Sequence, residues 1–263
     1  MTLSEIQEKI RNAPSLDFGD IINQAIELFK MVWLKGFLVV FITMICSFGL
    51  SFIFAGIGLT QNFNFFNEIV NLDTFYSLYF WNVIFAIPQT IIVSSVSMGL
   101  LAAFYRICKE QEAGSTSQDD FFYFFKNGYF RKILSLGIVY ALIATTAQLL
   151  FLIPYIYVFV PLSYISIILA NHPDLSETEI IRASFSLGNK KWLISFGTIF
   201  LMGLMGLLGI LACGIGVLFT ISIAYLPVYL IYKSVIGFEQ MDEIDSIGQK
   251  EEFWRNLFGD FVS

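Results

Sequence analysis

Hydrophobic positions in this chain gather into long unbroken runs, separated by short polar segments. Most runs are about 20 residues, the length a helix needs to cross roughly 30 Å of hydrocarbon. They predict membrane-spanning helices at about 36–59, 87–108, 133–152, 155–170, 193–211 and 217–232. The segments between them show helical amphipathicity instead. Leu3, Ile6 and Ile10 share one face of a short first helix that Pro14 ends. Ile21, Ile22, Ala25, Ile26, Leu28 and Phe29 give 18–30 a wide apolar face, with Asp17 as its cap. Ser176-Glu177-Thr178-Glu179 is a capping box, and Leu175 and Ile180 make the matching staple. Ile180, Ala183, Ser184 and Leu187 follow at helical spacing, and Gly188-Asn189 is read as the end of that helix. Phe253, Trp254, Leu257, Phe258 and Phe261 mark an amphipathic helix in the tail, whose mixed-charge polar face points to docking on protein.

The expected fold is therefore all-α: a polytopic membrane helical bundle of about six transmembrane helices. Interfacial amphipathic helices precede the first, third and fifth of them. Residues 1–35 form an N-terminal amphipathic region, 36–232 the six-span domain of three helix-hairpin units, and 233–263 a tail. Residues 75–85 read as a lead-in to the second span, and Pro88, Pro154, Pro161 and Pro227 as kinks. Small residues at four-residue spacing mark packing faces on the first two spans: Ser47, Ser51 and Ala55, then Ser95, Gly99 and Ala103.

Charge decides orientation. The 15 Lys and Arg residues divide as 4 before the first span, 5 in the loop from Arg106 to Lys132, 3 in the loop from Asn171 to Lys191, and 3 in the tail. The alternate connections have none, so both termini should be cytoplasmic. Trp33 and Lys35, and Lys190, Lys191 and Trp192, sit where interfacial anchors belong. No cleavable signal peptide is visible. Composition agrees: 57% hydrophobic and 14% charged, against roughly 25% charged in soluble domains. A basic footprint for nucleic acid is absent. Three distant cysteines and one histidine offer no metal-ligand spacing, so no metal and no cofactor is expected. Cys46 should lie in the bilayer, Cys108 at the inner end of the second span, and Cys213 at an outer turn.

Aligning Ile21-Ile22 with Ile180-Ile181 places Leu28 on Leu187, Trp33 on Trp192, Leu34 on Leu193 and Phe37 on Phe196. A third copy, 117–133, keeps the plan more than the residues, placing Lys30 on Lys126 and Trp33 on Tyr129. Either the chain is three repeated units, with Trp33 and Trp192 at equivalent corners, or the positive-inside pattern imitates a repeat. The stretch Ile181-x-Ala183-Ser184-x-Ser186-Leu187-Gly188-Asn189-x-x-Trp192 leads into an apolar helix with Gly203, Gly206 and Gly209. In this it resembles poorly characterised bacterial six-span membrane proteins, including the membrane domain found beside glycerophosphodiester phosphodiesterases. That resemblance implies a bacterial cytoplasmic (inner) membrane location and supplies no catalytic residues.

Inside the predicted spans no ionisable residue lies away from the ends, which removes the usual flag of pumps and coupled transporters. Gln89, Thr90, Ser94, Thr145, Thr146, Gln148, Ser163 and Ser166 are the polar exceptions. They read either as interhelical hydrogen bonds or as the lining of a substrate path through Gln89 and Gln148. His172 reads as a solvated loop residue, and Asp119-Asp120, Glu177 and Glu179 as helix-start carboxylates. Ser184 and Ser186 lack a base, and no phosphate loop exists. The expectation is a non-enzymatic integral membrane protein that serves as a scaffold, assembly or lipid-organising module. The alternative is an uncoupled carrier or channel for a lipid-like or small neutral solute. Expected partners are the lipid bilayer and a membrane protein or second copy of this chain, not nucleic acid.

Overall fold

The structure, a computed structural model, describes residues 1–57, 72–114, 120–126, 128–150, 152–211 and 214–238. Ser117, Asp119, Asn127, Cys213, the loop asparagines 62, 64 and 67, and the tail helix lie outside the described residues. Those described form helices and turns. In chain order the helices are α1 (Leu3–Arg11), α2 (Phe18–Gly56), α3 (Leu72–Phe85), α4 (Ile87–Glu112), α5 (Phe130–Leu149) and α6 (Leu152–Ser163). They continue with α7 (Ile165–Asn171), α8 (Glu177–Lys190), α9 (Trp192–Leu207), α10 (Gly216–Thr220) and α11 (Leu226–Val235). Among the described residues, six helical stretches are long and apolar enough to cross a membrane, and the chain is a multi-pass membrane protein. Leu208–Leu211 extends α9 as a 3₁₀ turn, and Ile221–Tyr225 joins α10 to α11 in the same form.

Short charged helices begin where side chains can satisfy the first amides. Thr2 and Glu5 close a capping box on α1, and Ser176 and Glu179 close the expected one on α8. Ile6 and Ile10 of α1, and Ile180, Ala183 and Leu187 of α8, are buried, and these two helices pack on each other. The polar ends of the spans are joined by lysines. Lys9 donates to the Ile236 carbonyl at 2.7 Å, Lys132 to the carbonyls of Pro173 and Leu175, and Lys191 to that of Pro14. Lys233 pairs with Glu112 at 2.9 Å, linking the end of α4 to α11.

α4 is the central post of the bundle, packed against α2, α5 and α7. Pro88 stands in its first turn, where a missing N–H costs nothing, so it starts the helix rather than kinking one. Ser95, Gly99 and Ala103 are all buried. A Cβ on Gly137 of α5 would fall 2.0 Å from the Ser95 hydroxyl, so the backbones of α4 and α5 meet there. By contrast Ala55 is exposed, and the Ser47 hydroxyl bonds to the Thr43 carbonyl of its own helix. The stripe on α2 is not a close-packed face among the described residues.

Two expected helices differ. The boundary placed near residue 35 does not exist: α2 runs unbroken for 39 residues, about 58 Å at 1.5 Å per residue. Met31 to Lys35 contains no helix breaker, so the amphipathic segment and the first span fuse. In the middle unit, 121–125 forms turns rather than an amphipathic helix. The Asp120 carboxylate takes the Phe122 amide at 3.0 Å, competing with a helical start. Phe124 is then fully buried and Phe125 lies against Gly99.

Pro161 inside α6 shapes the third unit. Proline has no N–H, so the carbonyl four residues back, that of Tyr157, loses its helical partner. The indole N–H of Trp192 takes its place at 3.0 Å, and its ring stacks on Tyr157 and on Phe196. The Ser184 hydroxyl donates to the Pro161 carbonyl. A Cβ on Gly188 would lie 2.5 Å from the Pro161 Cα, so α8 rests directly on the proline. α8 therefore continues past Gly188-Asn189 and stops at Lys191.

Candidate functional site

A cavity of about 580 Å³ opens between α2, α4, α5, α6, α7, α9, α11 and the 3₁₀ segment Ile221–Tyr225. It follows α4 from Gln89 to Tyr105, a stretch of about 24 Å along the helix axis. That exceeds the roughly 15 Å of hydrocarbon in one leaflet. Among the described residues every side chain lining it is uncharged. Its apolar wall includes Met98, Leu101, Ala144, Leu162 and Ile199. Its polar wall combines hydroxyls of Ser47, Thr90, Ser94, Ser97, Ser163 and Ser166 with the amides of Gln89 and Gln148 and the phenols of Tyr105, Tyr140, Tyr155 and Tyr225.

Much of the polar wall is held in place by the backbone. Thr90 donates to the Ala86 carbonyl at 2.8 Å, and Ser94 to the Gly137 carbonyl at 3.1 Å. Gln89 reaches across to α2, its amide donating to the Ser51 hydroxyl at 2.8 Å. Tyr79 of α3 donates to the Gln148 carbonyl at 2.7 Å, tying α3 to the end of α5. Gln89 and Gln148 thus do face one space, with Thr90 and Ser94 beside them. Thr145 is buried but does not line the cavity. Gln89 and Ser94 make the interhelical bonds one reading expected, Thr146 bonds within its own helix, and Gln148 borders the cavity.

The expected anchors divide in the same way. Trp33 is 43% exposed with Phe219 at 6.3 Å between ring centres, whereas Trp192 is bonded at the α8–α9 joint. The two tryptophans are not in equivalent settings, because only Trp192 has a proline-orphaned carbonyl beside it. Lys190 is exposed and Lys35 half-buried. Partial burial and the neighbouring Lys190 push the Lys191 ammonium below its ordinary pKa.

His172 is a correction. It is buried rather than solvated, with Nε2 2.8 Å from the Tyr232 hydroxyl. The loop after it is drawn onto the bundle by Lys132, which carries the ring inward. Cys108 is likewise buried, so it cannot report which side of the membrane its helix end faces. A shallower hollow of about 490 Å³ borders Glu8, Lys9 and Lys233, whose ammonium groups already hold Ile236 and Glu112.

Sequence reasoning missed Tyr105, Tyr140, Tyr155 and Tyr225, which pass for apolar fill inside a span. The available signal was chemical: a phenol away from the interface carries a hydroxyl that needs a partner. No family model, curated protein or solved structure matches the chain, so none bears on the resemblance carried by Ile181 to Trp192.

Proposed function

We propose that this protein binds and carries an uncharged, lipid-like molecule within the membrane. The cavity is the observation that carries this reading. Its 580 Å³ falls within the roughly 300–1,000 Å³ of sites for small organic ligands. Its mixture of apolar wall and fixed neutral hydrogen-bonding groups suits a molecule with an apolar body and a modest polar part. Burying an unpaired charge in such a place is costly, so an ion or charged headgroup is a poor occupant. With no Asp, Glu, His, Lys or Arg among the described lining residues, the usual carriers of proton or ion coupling are missing there, and movement of the solute would be uncoupled. The cavity puts this reading ahead of the scaffold expectation, which draws on the amphipathic segments, the small-residue faces and the absence of recognisable chemistry.

The test is lipid analysis of protein released from native membranes in mild detergent. An uncharged amphiphile at about one per protein is expected, and it should be depleted in Ala144→Phe, which fills the cavity wall. Recovery of bulk phospholipid alone, in bilayer proportions and equally from both proteins, overturns the proposal. The membrane we infer is the bacterial cytoplasmic membrane, with both termini inside, on the strength of the Lys and Arg distribution. Single cysteines at exposed Asn189 and Ile215 test the orientation in a background without native cysteines. An impermeant maleimide should label position 215 in intact spheroplasts and position 189 only after lysis; the reverse result overturns it.

A further inference from the structure

Tyrosines inside this bundle end, as a rule, on a partner. Tyr105 donates to the Tyr225 carbonyl, Tyr229 to Glu112, and Tyr157 to Asn189, while Tyr164 pairs with Ser195 and Tyr232 with His172. Three depart from that rule. The hydroxyls of Tyr140, Tyr155 and Tyr225 make no hydrogen bond with another described residue, and all three side chains line the one cavity. Tyr140 lies within electrostatic reach of both Tyr155 and Tyr225. Tyr140 stands halfway along α5, Tyr155 is the fourth residue of α6, and Tyr225 immediately precedes α11, so three elements converge on the cavity. All three residues are half-buried, with hydroxyls accessible from the cavity rather than sealed in protein, so a molecule seated there can pair with them.

We infer that Tyr140, Tyr155 and Tyr225 form the recognition site for the polar end of the carried molecule, a single-chain lipid with an uncharged, hydroxyl-bearing head. This rests on the reading of the cavity as a lipid-like binding site. Phenols both donate and accept, as do the hydroxyls and carbonyls of such a head, so each can pair without any charge. The side-chain amide of Gln148, also without a hydrogen bond to another described residue, adds a donor pair and an acceptor at the same cavity. A carboxylate or phosphate head would find no cation in the lining. A chain beside the tyrosines can lie along the apolar wall of Met98, Leu101 and Ile199.

The experiment uses the full chain in phosphatidylcholine nanodiscs and radiolabelled 1-monopalmitoylglycerol. Saturable binding is expected, displaced by unlabelled monopalmitoylglycerol. Palmitate, with the same tail and a charged head, and hexadecane, with no head, should displace it poorly. The variant carrying Tyr140→Phe, Tyr155→Phe and Tyr225→Phe should bind about 10–100-fold more weakly, the worth of two or three neutral hydrogen bonds. It should also cease to prefer monopalmitoylglycerol over hexadecane. Its thermal midpoint should be unchanged, because the hydroxyls hold no protein partner. If the triple variant does not fold, the three single variants replace it, each with a several-fold loss and a reduced preference for monopalmitoylglycerol over hexadecane. Equal affinity of a folded triple variant, or of all three single variants, or displacement by palmitate as good as by monopalmitoylglycerol, overturns the tyrosine assignment and leaves the cavity reading standing. No saturable binding by the unaltered protein overturns both.

Discussion

Between Ile21 and Phe37 the backbone passes through Trp33 without interruption, while between Ile180 and Phe196 it breaks at Lys191, one residue before Trp192. The two stretches carry isoleucine, leucine, tryptophan and phenylalanine at matching positions. What separates them is the neighbour. The second rests on α6, whose Pro161 frees a carbonyl that Trp192 satisfies and offers a second one to Ser184. The first meets the 3₁₀ segment of Ile221–Tyr225, where a Cβ on Gly36 would crowd Ser222, and its Trp33 ring lies by Phe219. A break in a helix is here a property of the partner as much as of the helix.

The sharpest way to break this contrast is at Gly188. Alanine there places a Cβ against the backbone of Pro161, which cannot rotate away. Gly188→Ala should lose about 2–3 kcal/mol, the upper part of the overpacking range. The aligned position in the first stretch already holds Phe29. Thermal unfolding in a single detergent measures the effect, and a loss below about 0.5 kcal/mol, the scale of a neutral surface change, would detach α8 from the proline.

Next in size is the tryptophan pair. Trp192→Phe keeps a ring but leaves the Tyr157 carbonyl without its donor, a loss of about 1–2 kcal/mol. Trp33→Phe should stay within about 0.5 kcal/mol, because its ring is half exposed and its N–H has no comparable task. Equal losses at the two sites would restore them as equivalent corners.

Ser176→Ala removes the cap of α8 and should cost about 1 kcal/mol. The smallest effect is its pH counterpart. Bonds from the Ser176 hydroxyl and then from its amide hold the Glu179 carboxyl below the ordinary range. Its contribution is therefore complete above the unfolded glutamate value of about 4.3 and fades as pH falls through the lower folded value. Glu179→Gln should be slightly less stable than the unaltered protein near neutral pH. The gap should close in acid; a gap that widens in acid would reverse the sign of the shift.

The spans and caps were legible because they depend on local order: run length, proline position and the Ser176–Glu179 spacing each act within one helix. Gln89 and Gln148 were legible as polar exceptions for the same reason. What local order could not carry was whether a neighbour accepts or denies a partner. Tyr140 and Tyr164 look alike in sequence, and only packing gives Tyr164 a serine and leaves Tyr140 facing a cavity. His172 next to Pro173 reads as loop chemistry until Lys132, forty residues earlier, pulls that loop inward. The fused α2 was missed because an amphipathic pattern followed by an apolar run marks a change of surroundings, which need not be a change of backbone.

The bond from Lys9 to the Ile236 carbonyl joins residues 227 positions apart. At roughly 5–20 residues per second, a ribosome needs on the order of 10–50 s to make the intervening chain. The first helix to leave the ribosome is therefore among the last to find its final place. Until then the Lys9 ammonium has not met Ile236 and can help fix the direction of insertion. Closing the bond afterwards withdraws that charge from the lipid surface and makes it a clasp. A nascent chain halted before its last span can already rest α1 on α8 but lacks the Lys9–Ile236 clasp, so it should shield α1 from protease less well than the finished protein does.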